Sequence, residues 1–474
     1  MTTTVDSAEG LDRTTAAAPA IAGVLADFAA GLRLDDVPPD VVEAAKLHLL
    51  DSVGLAYASG TYDFATRSLV ALSSLGAGDS PVIGQRQRLA PRDAVLANGV
   101  FVHGLDYDDT HLAGVVHPSA SAFPTALAVA ADRRLSGGDL LLGYLIGVEV
   151  SSRLGAVAKG NFHAIGFHPT GLVGAFGCAA LVGRLHGLPA RGIAHAQGVV
   201  GSMAGGLLEF LDGGAWTKRM HPGWAGVAGI TACALAGQGF VGPERVYEGR
   251  FGLYATHLRP DADRDLSLAT AGLGEQWEMR DVAIKPYPTC HLTHAFADAA
   301  LALVHRESLR PEDVRSIRCL IAEGEVGTVC EPADKKLFPT SDYDAKFSLP
   351  FIVAAAIVRR RFTLAELYQD ALADPVILDL ARKVSYEPDP ASGFPRHYSG
   401  EVIVETAGGR TLRHREQVNR GADECPLSGA DIEAKFRDNM ELAAGPDATE
   451  RVLDAVLSLE RFDDAAAFGE LLRG

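Results

Sequence analysis

A chain whose first 275 residues carry helical periodicity and no strong strand pattern cannot fold around a sheet; its core must be helix on helix. Ile21–Leu32 is the first candidate helix. Pro39 opens the next, with Asp40 and Glu43 in its first turn, where acids suit the positive end of a helix. Val41, Ala44, Ala45, Leu49 and Val53 share one face, and Gly60 follows the end. Further helices are expected at Pro91–Asp106, Ala122–Ala131, Gly138–Leu154, Thr170–His186, Pro189–Leu211 and Trp224–Gly237. The abundant Ala and 51 Gly allow such helices to pack closely.

Past residue 275 the texture changes. Val314–Ala322 alternates like a strand, and Glu401–Glu405 and Thr411–Gln417 flank Ala407-Gly408-Gly409-Arg410, a hairpin signal. Ala345–Val358 and Leu364–Asp374 read as helices, and Glu387–Gly400 as loop. Helical pattern returns at Ser428–Asn439 and Asp447–Leu459. The expected architecture is mainly α: a large all-helical domain with an inserted smaller α+β lid domain. Residues 1–19 form a flexible arm, 20–275 the first part of the helical domain, 276–417 the lid and 418–474 the helical return.

Composition narrows the function classes. The formal net charge is −17 with no Lys/Arg run, and aromatics are 7%, which argues against a nucleic-acid partner. An acidic chain repels anions at long range, so an anionic substrate requires local positive charge. Six scattered cysteines with no C-x-x-C pair suit a reducing cytoplasm. The N-terminus is polar, and the richest apolar run, Phe351–Val358, is too short to span a membrane.

Four stretches carry chemistry. Residues 103–117 hold three histidines (His103, His111, His117) and three acids (Asp106, Asp108, Asp109) within fifteen residues. Burying such groups without partners is costly, whereas acid–base catalysis needs them. If Asn98–Thr110 is helical, His103, Asp106 and Thr110 share a face and a loop past Gly114 returns His117 to it. A solvated helix end explains the same residues more plainly, and a metal site is the third reading. The second stretch, Asn161–Gly171, sets His163 and His168 before a helix that Thr170 can cap; helix N-termini attract anions. The third, Gly213–Trp224, brings Lys218, Arg219 and His221 into a Gly-rich loop, either to pair with a carboxylate or simply to be solvated. The fourth runs from Lys285 through Cys290 and His291 to His294, with a helix starting near Thr293. Adjacent Cys and His seldom give good base geometry, so thiol nucleophilic chemistry is disfavoured there.

Taken in order, Gly104-Leu-Asp106-Tyr-Asp-Asp-Thr110, His117-Pro-Ser, Gly166-Phe-His168-Pro-Thr, Lys218-Arg-Met-His-Pro-Gly, Lys285-Pro-Tyr-Pro…Thr293-His294 and Ala345-Lys346-Phe-Ser-Leu-Pro-Phe351 resemble the MmgE/PrpD family from about Ala20 to Leu459. Members include 2-methylcitrate dehydratases, cis-aconitate decarboxylases and iminodisuccinate epimerases. The resemblance implies a helical domain with a small α+β lid, a homodimer, no metal and no organic cofactor. It implies a site between the domains containing Asp106, Thr110, His117, His168, Lys218 and Lys285. In the cis-aconitate decarboxylase branch a histidine stands where this chain has Cys290 and a tyrosine where it has Phe351, departures that argue against an itaconate-forming decarboxylase. His291 is the candidate replacement for the missing imidazole.

The reading that results is a cofactor-independent lyase of cytoplasmic type, a dehydratase of a di- or tricarboxylate such as 2-methylcitrate. His117, Asp106 and Lys285 are assigned to catalysis, and Thr110, His168, Lys218, Cys290 and His291 to substrate binding. The alternatives are an epimerase of an iminodisuccinate-like acid, a decarboxylase of a cis-aconitate-like acid, a metal-dependent hydrolase using His103, Asp106, Asp109 and His111, and an inert helical scaffold.

Overall fold

The computed structural model describes residues 19–213, 215–394, 397–421 and 424–474; all of the expected N-terminal arm except Pro19 lies outside the described residues. At the centre stands the helix Pro118–Asp132, buried from Pro118 to Ala131. Pro91–His103, Gly137–Val157, Pro169–Leu185 and Thr217–Gly237 pack around it. A helix covered on every side must be apolar or small all round. Two of its hydroxyls are returned to its own backbone: Thr125 Oγ1 donates to Ser121 O at 2.7 Å and Ser121 Oγ to Pro118 O at 3.2 Å. Small residues set the spacing of the bundle. A Cβ on Gly99 would lie 2.4 Å from Gly223 Cα, and one on Gly229 would lie 2.6 Å from Cys178 Cβ. Alanine at either position would force helices apart.

The helical centre agrees with the periodicity, with three differences that matter for the site. The Pro91 helix stops at His103, not Asp106, and the chain turns through Asp106 in the left-handed region (φ 53°). The helix expected over Pro189–Leu211 ends at Val200, and the segment after it leaves to pair with the 166–168 turn. The last helix begins at Thr217 rather than Trp224, so Lys218, Arg219 and His221 lie on a helix rather than a loop. Pro222 and Gly223 read as breakers; Pro222 nevertheless lies inside the helix, where it forgoes a backbone hydrogen bond, and Gly223 is the close-packing position. Finally, Gly137–Val157 is long and apolar enough to cross a membrane, but 94% of its window is buried inside the protein, so it is a core helix.

The sheet region follows. Four strands order as Val384–Pro388, Val314–Ile321, Gly400–Thr406 and Thr411–Glu416. The first pair is parallel and the others antiparallel, the last being the expected hairpin. Val384–Pro388 was not expected; it overlaps the stretch read as loop because its exposed face carries Ser, Glu and Pro rather than alternating apolar residues. His294–Glu307 and Leu349–Arg359 pack together, with His294–Glu307 also on the sheet. The chain then returns: Gly429–Glu441 packs on Pro39–Ser59, where Lys435 Nζ lies 2.7 Å from Asp51 Oδ1.

Candidate active site

The turn after the Pro91–His103 helix is held by cations from four separate segments, each donating to a successive backbone carbonyl. Arg219 Nε donates to Gly104 O at 2.7 Å, Lys346 Nζ to Leu105 O, Lys285 Nζ to Asp106 O at 2.8 Å and Lys435 Nζ to Tyr107 O at 2.8 Å. Carbonyls past a helix end need donors, and cations suit that end of the dipole. A two-residue antiparallel pairing of Thr110–His111 with Val282–Ala283 brings the 285 segment alongside. Tyr107 Oη adds a bond to Pro286 O at 3.0 Å.

Asp106 is the centre of charge. Its Oδ1 lies 2.5 Å from Lys218 Nζ and 3.3 Å from Lys285 Nζ. Burial pushes its carboxyl upward, but Lys218 and then Lys285 outweigh this and hold it well below the usual carboxylate range. One carboxylate facing two ammonium groups leaves a buried excess of positive charge, the local feature an anionic substrate requires in a chain of net charge −17.

Three imidazoles line the same place. His103 Nδ1 is 2.7 Å from Asp108 Oδ2, and His117 Nδ1 is 2.7 Å from Asp109 O with Thr110 Oγ1 at 3.2 Å. A carbonyl only accepts, so His117 carries its hydrogen on Nδ1 and keeps a lone pair on Nε2. The main chain is fixed too, since His117 N donates to Thr170 Oγ1 at 3.0 Å. His168 is held by the 205–208 segment, with its N–H on Gly206 O at 2.9 Å. The His103 ring centroid is 4.8 Å from that of His117 and 5.5 Å from that of His168. His103 and His168 leave their Nε2 atoms buried and unpartnered. Burial lowers all three, His117 to about 3, with Asp108 opposing and the neighbouring cations reinforcing the shift.

Behind the imidazoles, Asp109 accepts from His48 Nδ1 at 2.7 Å, from Ser119 N at 3.3 Å and from Ser119 Oγ, while Ser119 Oγ meets Tyr144 Oη at 2.6 Å. This clamp fixes the carbonyl that sets the His117 tautomer.

The expected single helical face does not form, because the helix ends at His103. Asp106, Thr110, His117, His168, Lys218 and Lys285 nevertheless converge, through the left-handed turn and the two-strand pairing. The proposed metal set of His103, Asp106, Asp109 and His111 is not assembled: each has a different partner, His111 Nε2 sitting 2.9 Å from Glu278 Oε2. Among the described residues one other group offers metal-type geometry, His103, His117 and His168, with donor atoms within 4.8 Å. A tetrahedral zinc site sets nitrogens about 3.3 Å apart given bonds of about 2.0 Å, and Lys218 and Lys285 oppose a further dication there.

Cys290 lies at the edge of the site with its N–H on Lys346 O at 2.9 Å, and burial pushes its thiol up to about 11, so it is neither a ready acid nor a thiolate. His291 has its Nε2 2.9 Å from Asn419 Nδ2, its Nδ1 buried without a partner and its ring centroid 4.6 Å from that of His294. It feels the charges of Lys285 and Asp106, and burial lowers it to about 3. Phe351 is wholly buried, with its N–H on the cap Ser348 Oγ at 3.1 Å. His163 is exposed and takes no part.

Sequence reasoning gave no role to Lys346 or His221, and gave His103 only a metal ligand's role and Arg219 only a carboxylate pairing. Each stood in a quoted motif, and the signal was available: Lys346 is the sole charge in an otherwise apolar and hydroxylic run.

Known proteins resemble this chain over nearly its whole length. Residues 23–265 match the model of the MmgE/PrpD N-terminal domain and residues 287–461 that of the C-terminal domain. The chain is 32% identical to cis-aconitate decarboxylase of Homo sapiens over 460 residues, covering 94% of this chain and 92% of the human protein. It is 30% identical to the Mus musculus enzyme over 463 residues, 94% of this chain and 91% of that protein. It is 27% identical to cis-aconitate decarboxylase of Aspergillus terreus over 468 residues, 94% of each. The chain belongs to the MmgE/PrpD family.

Proposed function

We propose that this chain is a lyase that decarboxylates a cis-aconitate-like tricarboxylate. The observation that carries the reading is the convergence of Lys218 and Lys285 on Asp106 beside three buried imidazoles. The relatives' activity supports decarboxylation over the dehydration favoured from Cys290 and Phe351.

The chemistry follows from charge. The bond between an allylic carbon and its carboxylate breaks, and carbon dioxide leaves. The freed electron pair forms a new double bond while the old double-bond pair moves onto the carbon next to a second carboxylate. That enediolate is stabilised by Lys218 and Lys285. A proton delivered from His117 Nε2 completes the product. In the empty site His117 is neutral; a tricarboxylate bound beside it adds negative charge and raises its proton affinity. Thr110 and His168 help hold the carboxylates. The 276–417 portion acts as a lid, a role supported by Lys285 and Lys346 reaching the 105–106 turn from it.

The same arrangement serves dehydration if the His117 lone pair removes a proton instead, and the neutral tautomer favours that second reading. Incubation with cis-aconitate and with 2-methylcitrate separates them. The decarboxylase reading requires carbon dioxide release from cis-aconitate; water loss from 2-methylcitrate without carbon dioxide would replace it with the dehydratase.

The exposed apolar residues Leu235, Phe240 and Val241, at and just past the C-terminal end of the Thr217–Gly237 helix, support a homodimer in which a second copy covers that end. Sedimentation of the purified protein tests this, and a monomer at micromolar concentration would contradict it.

A further inference from the structure

Decarboxylation puts a proton where carbon dioxide stood, so a site working by the reaction proposed above must be reloaded with one proton per turnover. The immediate donors are nearly sealed: His103 is 1% exposed, His168 3% and His117 8%. One ring connects them to the outside. His221 is half-buried and lines a cleft of about 550 Å³ walled by Gly205, Gly206, Leu207, Phe210, Met220 and Trp224. Its Nδ1 lies 3.1 Å from His168 Nδ1, with ring centroids 5.2 Å apart. Gly206, at φ +144°, makes room for this ring: a Cβ there would stand 3.1 Å from His221 Nδ1. His168 also keeps a buried, unpartnered Nε2, and one ring nitrogen from each of His103, His117 and His168 lies within 4.8 Å of the others.

We propose that His221 and His168 form a proton relay from this cleft to His117. His221 takes a proton from cleft water at Nε2 and passes its Nδ1 proton to His168 Nδ1. His168 releases its Nε2 proton to His117 Nε2, directly or across one water. One proton enters, one crosses the Nδ1–Nδ1 bond and one leaves, with no change of oxidation state; exchange of ring protons with water between turnovers restores the starting tautomers. Burial and then the charge of Lys218 lower His221 to about 4, and His168 is also held low, so both rings are neutral and each can accept at one nitrogen while donating at the other. His221 is thus a positioning and relay residue rather than one that touches substrate.

The test compares wild type with His221→Gln on cis-aconitate, with and without added imidazole, which fits the cleft. The relay predicts that kcat falls about tenfold or more, that KM changes by less than about twofold, and that imidazole restores turnover. Unchanged kcat overturns it, as does a loss that imidazole does not reverse. An independent arm uses ¹⁵N-histidine NMR of the unmodified protein. A Nδ1–H shared between His168 and His221 supports the relay, and two non-bonded Nδ1 atoms overturn it. If wild type releases no carbon dioxide from cis-aconitate, the functional reading falls and the NMR arm alone decides the relay.

Discussion

Lys218 Nζ stands 2.5 Å from Asp106 Oδ1, the same oxygen that Lys285 approaches to 3.3 Å from another part of the chain. Two like charges share one counterion inside the protein. Removing the counterion leaves both uncompensated, and breaking a buried pair in this way costs about 3–5 kcal/mol. Asp106→Asn is therefore expected to lose stability on that scale in denaturant unfolding. A bound polycarboxylate supplies the missing charge, so cis-aconitate should raise the Tm of the variant more than that of the wild type.

Lys285 has two tasks, holding the Asp106 carbonyl and carrying charge for a substrate carboxylate. Lys285→Ala should lower kcat, because the enediolate loses a stabilising charge, and raise KM, because polyanions bind more weakly, both read in steady-state kinetics. Unchanged KM and kcat would remove Lys285 from the site.

His117 is positioned by the Asp109 carbonyl, Thr110 and Thr170 and buried with its Nε2 free of those contacts. His117→Ala should cut kcat at least about a hundredfold, the usual scale for general acid–base catalysis, with the circular dichroism spectrum and melting curve retained. Near-wild-type turnover would reassign the proton donor.

Much of this was legible in the sequence, and the failures are specific. Helical periodicity placed the bundle because an apolar face has to be buried whatever the tertiary context. The site residues Asp106, Thr110, His117, His168, Lys218 and Lys285 were named correctly as neighbours, but the geometry joining them was not. The helix expected to reach Asp106 ends at His103 because Asp106 takes a left-handed turn, a conformation Asp tolerates and local pattern does not announce. Lys346, Arg219 and Lys435 cap the Leu105, Gly104 and Tyr107 carbonyls. These contacts join residues more than a hundred positions apart, which no local window can register. His221 was noticed beside Lys218, but its bond to His168 depends on the helix beginning at Thr217 rather than Trp224.

The buried imidazoles also set the pH dependence of stability. His103, His117, His168, His291 and His294 are all lowered from the usual value of about 6.5, chiefly by burial. A base with a depressed folded pKa binds its proton more readily when unfolded. Its contribution is complete above pH of about 6.5 and is lost as pH falls toward the folded value, by about 1.4 kcal/mol per pH unit for each group. Stability should fall steeply between pH of about 6.5 and 5, and His103→Gln should make that slope shallower. Denaturant unfolding as a function of pH reads both; a flat profile across this range would contradict the neutral, buried state of the trio.

The central claim is metal-free proton delivery to a carbanion held by Lys218 and Lys285. Proton NMR of purified protein with cis-aconitate in deuterated water and chelator tests it most directly. The account predicts one product lacking one carboxyl group, carrying a single deuterium on the carbon next to a remaining carboxylate, and formed at an unchanged rate after chelation. Recovery of unlabelled, unreacted cis-aconitate from active-concentration protein would contradict it.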